Sequence, residues 1–175
     1  QALYFPLGLF YFLLLNCLTF MDSKDLRQVF GRFATGITVI TTRTPEGEQY
    51  GVTINSFTSV SLEPPLVSFA LQRSSPMGEH IRRAGGYAVN ILSADQQELS
   101  NHFASDKHRQ PFMDWPLLNG PASQPLLSGC LAVLECRLWQ EYDGGDHALL
   151  LAEVLDCQAF EGQPLLYYRS RYATL

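Results

Sequence analysis

The sequence predicts a mainly β domain with flanking helices, on three observations. Residues 37–42 form a run rich in β-branched side chains, which is typical of a strand. Residues 131–139 alternate between two faces, which is the period of a strand. Turns rich in proline and glycine, such as 44–47 and 142–147, separate short apolar runs, and helical spacing is confined to brief segments.

Composition narrows the class of protein. A chain of 175 residues with 46% hydrophobic and 17% charged residues has the size and balance of one soluble globular domain. The net charge of −5 and the lack of any basic run argue against a nucleic-acid partner. Four cysteines (Cys17, Cys130, Cys136 and Cys157) show neither disulfide density nor metal-ligand spacing. They predict buried thiols in a reducing compartment, the cytoplasm, and no metal site.

The first twenty residues differ from the rest of the chain. Residues 1–20 are almost wholly apolar, carry no charge and are long enough to span a bilayer. A membrane anchor, a secretory signal and a non-native segment are the alternatives. The missing basic n-region argues against a signal, and the initial Gln1 favours a non-native segment, with membrane attachment as the main alternative. We therefore expect a boundary between 1–20 and a domain over 21–175.

The first elements of that domain are a helix and two strands. Asp22 or Ser23 can cap a helix in which apolar residues recur at three- and four-residue spacing, up to about Gly36. Strands are predicted over 37–42 and 50–54.

A buried strand and a short helix come next. Pro64 and Pro65 turn the chain into an apolar strand over 66–71. Ser75 can cap the helix that follows, which glycine ends at 85–86.

The middle of the chain holds a strand, a helix and a long loop. A strand over 87–92 leads to a helix that Ser93 caps, with Gln96 completing a capping box, and that ends at Ala104. Residues 105–124 are polar and proline-rich, and so long a loop is usually functional or mobile.

The C-terminal part is predicted to be a β-meander. The alternating strand over 131–139 is followed by a turn and by strands over 148–154 and 165–168. The apolar face of the first strand, which we expect to face the core, consists of Ala132, Leu134, Cys136 and Leu138.

The stretch after the second strand is rich in small polar side chains, which are Thr53, Asn55, Ser56, Thr58, Ser59 and Ser61. Such side chains let a ligand approach the backbone and offer many directed hydrogen bonds. A solvent-facing meander has the same composition. Glycine-rich dinucleotide and phosphate loops, a nucleophile elbow and an HExxH helix are absent from the sequence. Any nucleotide must therefore be held in another way.

Motifs in this order resemble one family. Residues 53–61 with Pro64-Pro65-Leu66-Val67, preceded by 34–42 and followed by Gly145-Asp146-His147, are similar to the short-chain flavin reductases. These are the reductase components of two-component flavin monooxygenases. The likeness extends from about Met21 to Leu175, and it implies an antiparallel Greek-key split barrel of the FMN-binding type.

The resemblance implies an NAD(P)H-dependent flavin reductase. Hydride would pass from nicotinamide C4 to flavin N5, and reduced FMN or FAD would leave for a partner monooxygenase. It also implies a homodimer, with membrane association only if residues 1–20 are genuine. A non-catalytic flavin- or haem-binding carrier or sensor is the alternative. The sequence leaves open FMN versus FAD and NADH versus NADPH.

The resemblance also implies a set of site residues. His147 would face the nicotinamide and is the candidate catalytic residue, and Arg73 is the nearest fixed positive charge. Ser75 is either a phosphate contact or a simple helix cap, and Tyr172 either approaches the site or seals the barrel end. The candidate cofactor-binding residues are Thr53, Ile54, Asn55, Ser56, Phe57, Ser59, Ala70, Leu71, Gln72, Ser75, Phe103 and Tyr172.

Overall fold

The computed structural model describes residues 22–105, 115–118, 123–173 and 175. The apolar segment 1–20 and most of the predicted loop over 105–124 therefore lie outside the described residues. The chain divides into two units, residues 1–33 and residues 34–175. Within the described ranges, no helix is long and apolar enough to cross a bilayer.

Helix α1 (Ser23–Phe30) is the described element of the first unit. Its cap is Asp22, as predicted, and the carboxylate accepts a hydrogen bond from the Lys24 N–H at 3.0 Å. The predicted end near Gly36 is wrong. The helix ends at Phe30, before Gly31, because glycine has low helix propensity.

The second unit is mainly β, as predicted. Its helices are α2 (Met77–Ala84) and α3 (Gln97–Ala104). Its strands are β1 (Thr35–Gly36), β2 (Thr38–Arg43), β3 (Gln49–Ile54), β4 (Thr58–Leu62), β5 (Pro65–Gln72), β6 (Gly86–Ile91), β7 (Ala132–Gly144), β8 (His147–Ala159), β9 (Leu166–Tyr168) and β10 (Arg171–Ala173). A seven-stranded sheet has the order β3-β2-β6-β7-β8-β5-β4, and a small sheet has the order β1-β9-β10. Every strand pair is antiparallel.

The seven-stranded sheet curves into a barrel that remains split. Its inner face buries a core that includes Ile40, Phe69, Tyr87 and Leu150. The two outermost strands, β3 and β4, do not pair with each other in the sheet. We call the opening between β3 and the β4–β5 edge the seam, and it is here that polar groups on the two sides come together.

A second core lies outside the barrel, where α3 packs on β2 and β3. It includes Val39, Leu99, Phe103 and Val133. Helix and strand approach closely because position 51 is glycine, where an added Cβ would lie 2.5 Å from a carbon of the Phe103 ring. A larger residue at position 51 would push α3 away from the barrel.

Two expectations about burial are wrong. Val133, placed by simple alternation on the solvent face of its strand, is 2% exposed because the second core covers that side. Register shifts after Glu135 and Leu138 further break the alternation. Cys157 is exposed, because β8 continues past the core from Leu155 onward.

The predicted cap of α3 is also wrong. The helix begins at Gln97, and the Ser93 hydroxyl instead shares its one proton between the Asp95 carboxylate (2.5 Å) and the Gly129 carbonyl (2.8 Å). One half of the capping box does form, because the Gln96 side-chain oxygen accepts from the Ser93 N–H at 3.1 Å.

Candidate functional site

A cleft of about 530 Å³ opens at the seam. Its walls are the end of β3 with the residues that follow (52–56), the end of β5 (70–72) and the loop before α2 (74–76), with Ala104 from α3 and His147 from β8. This volume lies within the range of small-molecule sites. The cleft exists because β3 and β5 end side by side where the sheet fails to close.

The structure brings most of the predicted site residues together in this cleft. Those that line it are Thr53, Ile54, Asn55, Ser56, Ala70, Leu71, Gln72, Ser75 and His147. They come from β3 and the residues that follow it, from β5 and the loop that follows it, and from the start of β8. The antiparallel register, in which Gln72 pairs with His147, places the end of β5 next to the start of β8.

Two predicted residues on the chain leaving β3 point elsewhere. Phe57 is half-buried against the barrel core. Ser59 lies on the exposed edge strand β4, opposite Val67 of β5. Neither is among the described residues that line the cleft.

Two other predicted residues hold α3 in place. Phe103 is 5% exposed in the second core. The Tyr172 hydroxyl donates to the Asn101 side-chain oxygen at 2.8 Å and lies 2.9 Å from the Ser100 hydroxyl. Both therefore support the helix that carries Ala104 to the cleft, and neither contacts the cleft itself.

Ser56 fastens the two sides of the seam. Its hydroxyl accepts from the Ala70 N–H at 3.1 Å and donates to the Ala70 carbonyl at 3.0 Å. Because backbone groups two residues apart in a strand point the same way, the Gln72 N–H faces the same side as that of Ala70. The cleft thus gains a backbone donor, while the Ser56 hydroxyl is engaged with the protein itself.

The other hydroxyls of the cleft differ in how far they are engaged. Thr53 donates its hydroxyl proton to the Ser100 carbonyl at 2.6 Å, which ties β3 to α3. Helix α2 begins at Met77, and the Ser75 hydroxyl accepts from the Met77 N–H over a long 3.4 Å. Ser75 therefore combines a weak capping contact with a place in the cleft.

His147 is the one titratable side chain among the described lining residues. Its Nδ1 lies 2.7 Å from the Asp146 carboxylate, and its side chain is 43% exposed. A carboxylate only accepts hydrogen bonds, so Nδ1 carries the proton and Nε2 of the neutral ring is an acceptor. The hydrogen bond from His147 holds the pKa of Asp146 below its usual value. This contact is therefore present at neutral pH and is lost only as the pH falls through that lowered pKa.

A tight hairpin presents His147. Strands β7 and β8 are joined by two residues, and the first of them, Gly145, has a φ of +78° that favours glycine. The Arg73 guanidinium, the nearest fixed positive charge to the loop before α2, is engaged within the protein, where it donates to the Gly145 carbonyl (2.8 Å) and to the Asp143 carboxylate (2.7 Å). No lysine or arginine is among the described residues that line the cleft.

Sequence reasoning missed four lining residues, which are Val52, Ser74, Pro76 and Ala104. Ser74 and Pro76 flank Ser75, so the polar loop before the helix was a usable signal. Ala104 reaches the cleft through the packing of α3 on β3, and no local pattern reveals that.

The fold and the cleft together define a split-barrel protein with a polar site at its seam. A model of the flavin reductase like domain matches residues 30–175. This chain belongs to the flavin reductase-like family. The predicted family and split-barrel fold are therefore confirmed, and the chain's class is that of an oxidoreductase.

Individual relatives and one solved structure are similar to this chain. The chain is 39% identical to the FMN reductase (NADH) SmoA of Agrobacterium fabrum, over 83% of this chain and 82% of that protein. It is 38% identical to the flavin-dependent monooxygenase reductase subunit HsaB of Rhodococcus jostii, over 87% and 77% of the two chains. The structure of the Streptomyces globisporus NADH:FAD oxidoreductase SgcE6 with NAD and FAD fragments matches with a TM-score of 0.81. That match has 36% identity and covers 87% of this chain and 92% of the other.

Proposed function

We propose that this protein is an NADH-dependent flavin reductase that supplies reduced FMN or FAD to a separate monooxygenase. The observation that carries the proposal is the seam cleft, in which neutral hydrogen-bonding groups from β3, β5 and the loop before α2 surround His147. Family membership and the NADH-dependent reductases among the relatives support it. A monooxygenase partner is supported by relatives that are reductase subunits of such systems.

The lining residues fit a flavin. The edge of its ring system carries carbonyl and nitrogen groups, which the Asn55 side chain and the Gln72 N–H are placed to bond. Ser74 and Ser75, beside the first turn of α2, offer hydroxyls and a favourable dipole to a phosphate. When bound, the flavin supplies the hydride-accepting chemistry, and the protein contributes positioning and electrostatics. His147 orients the nicotinamide nucleotide.

The direct test is the steady-state rate with each pairing of FMN or FAD with NADH or NADPH, followed by loss of nicotinamide absorbance. We expect turnover with NADH and a smaller rate with NADPH, since the described cleft offers no cation for an extra phosphate. Oxidation of neither nucleotide with either flavin would disprove the proposal. Tightly bound flavin without turnover would identify a carrier instead.

Asn55 provides the first prediction at the level of one residue. We expect Asn55→Ala to raise the KM for flavin about fivefold, because one lost hydrogen bond to a ligand costs about 1 kcal/mol. The KM for NADH should change less. The control is Gln158→Ala, which truncates an exposed side chain of β8 outside the cleft. A flavin KM equal to that of the control would remove Asn55 from the site.

We also propose that two copies associate through the β4 end of the large sheet. Leu62 is 94% exposed and Leu155 is 56% exposed. Register places them at the same end of the adjacent strands β4, β5 and β8. Exposed apolar side chains grouped in this way are typical of interfaces.

The dimer has its own test. We expect the unmodified protein to have twice the chain mass in light scattering, and Leu62→Asp with Leu155→Asp to shift it toward the monomer by at least tenfold in Kd, as for central apolar contacts. A monomeric unmodified protein at the same concentration would contradict the proposal.

A cytoplasmic location completes the proposal. The cysteines of the described residues are free thiols, which supports a reducing compartment. Burial raises the pKa of Cys130 and of Cys136 to about 12, so neither is a reactive thiolate.

A further inference from the structure

We propose that Arg73 is a positioning residue that holds His147 in the geometry needed for the nicotinamide nucleotide. The inference rests on the proposed function and adds to it a residue outside the cleft. Arg73 follows β5 directly, so it is one residue beyond the Gln72 that lines the site.

Arg73 donates hydrogen bonds to three residues of the β7–β8 hairpin, which are Asp143, Gly145 and Asp146. Its backbone N–H donates to the Asp146 carbonyl at 3.1 Å, and its Nε donates to the Gly145 carbonyl at 2.8 Å. A terminal guanidinium nitrogen donates to the Asp143 carboxylate at 2.7 Å. One residue at the end of β5 thus fixes the hairpin loop from both its main chain and its side chain.

The grip is reinforced within the hairpin. The Asp143 carboxylate also accepts from the Gly145 N–H at 2.9 Å. This backbone hydrogen bond, followed by Arg73, holds the pKa of Asp143 below its usual value, so the carboxylate stays ionised at neutral pH. The next residue along, Asp146, binds the His147 ring at 2.7 Å. A continuous series of contacts therefore runs from Arg73 to the imidazole.

The contacts of the Arg73 side chain are exposed to solvent, which indicates that they position the hairpin and add little to the stability of the fold. Side-chain exposure is 47% for Arg73 and 83% for Asp143, and ion pairs of this kind add little to global stability. Their effect is on geometry, because a guanidinium is a planar fork that fixes direction as well as distance. A flexible hairpin would leave His147 attached but poorly aimed.

The test compares Arg73→Gln with the unmodified protein. We expect kcat/KM for NADH to fall about fivefold, mainly through KM, because misplacement of a positioning group by about 1 Å has effects of this size or more. The KM for flavin should change less than twofold, and the melting temperature should stay within about 3 °C. Arg73→Lys should recover part of the loss, since an ammonium restores the charge but not the fork.

A matched control is Arg137→Gln, which removes an exposed arginine of β7 paired with Glu153, away from the hairpin loop. It should leave both KM values unchanged. The deciding measurement is Arg73→Gln in a His147→Ala background. If Arg73 acts through His147, the second substitution should lower kcat/KM by less than about twofold there.

Each result bears on one proposal. A fivefold loss of kcat/KM for NADH when Arg73→Gln is added to His147→Ala would show that Arg73 does not act through His147. A fivefold rise in the flavin KM for Arg73→Gln alone would show the same. Normal NADH kinetics for Arg73→Gln, with an active unmodified enzyme and an impaired His147→Ala, would overturn this inference alone. An unmodified protein that oxidises neither nucleotide would overturn the proposed function first.

Discussion

Replacement of Gly86 by alanine should destabilise the barrel by about 3 kcal/mol, the upper range for overpacking. Gly86 begins β6 and is buried, and an added Cβ would lie 2.4 Å from the Cys136 carbonyl oxygen of β7. No side-chain rotation relieves this contact, because the neighbour is backbone. The Gly86 carbonyl also accepts from the buried Thr42 hydroxyl at 2.8 Å, so the strand has little freedom to move away.

The measurement is thermal or urea unfolding, and we expect the melting temperature to fall by about 10 °C. Gly36→Ala is the matched control. Gly36 also lies in a strand, but an added Cβ there meets nothing within 4 Å, so its stability should be almost unchanged. Equal melting temperatures for the two variants would show that β6 and β7 adjust without cost.

Replacement of His147 by alanine should lower kcat/KM for NADH by about tenfold or more, which is the larger of the functional effects we expect. The imidazole is the one titratable side chain in the described cleft, and its tautomer is set by Asp146. Its removal takes away both a contact surface and a hydrogen-bond acceptor on the side of the cleft where we propose that the nicotinamide binds. The flavin KM should change by less than about threefold, since the flavin contacts proposed above lie on β3, β5 and the loop before α2.

Asp146→Asn removes the negative charge beside the His147 ring and keeps an acceptor oxygen. An amide oxygen still accepts from Nδ1, so we expect a loss of only about twofold at neutral pH. Steady-state kinetics with varied NADH distinguish the two variants. Equal losses in NADH and flavin parameters for His147→Ala would indicate a collapsed cleft and would remove the proposed role.

Local chemistry made much of the fold predictable. The β-branched run after Gly36, the apolar run after Pro65 and the alternation after Leu131 each produced a strand within one or two residues of the expected start. These signals are local, because the side chains of a short stretch determine by themselves whether it can form a strand with a buried face. Strand ends were less predictable, since β7 and β8 each reach 13 residues by pairing with each other.

The misses share a cause in long-range contacts. Val133 is buried by residues brought over it from elsewhere in the chain. Ser93 bonds Gly129 rather than capping α3, and Tyr172 bonds Asn101 rather than entering the cleft. In each case the side chain contacts residues far away in the chain, which a local reading of the sequence does not reveal.

The candidate site was predicted in part through motif order. Ser56 shows where that reasoning ends. Ser56 lines the cleft, but its hydroxyl bonds the Ala70 backbone and does not face an open position in the cleft. Which small polar side chains remain available for a ligand depends on strand proximity, and sequence alone does not supply that.

The position of the cleft at the seam affects how fast a bound molecule can leave. The cleft lies where β3 and β5 end, and not inside the barrel. A bound molecule can therefore leave without breaking the hydrogen bonds between the described strands. Its rate of release is then limited by its own contacts with the residues that line the cleft, so substitution of single side chains there should change its residence time. In the proposed function the bound molecule is a diffusible electron carrier, so we expect side chains at the rim to set its rate of release and the barrel core to set the stability of the fold.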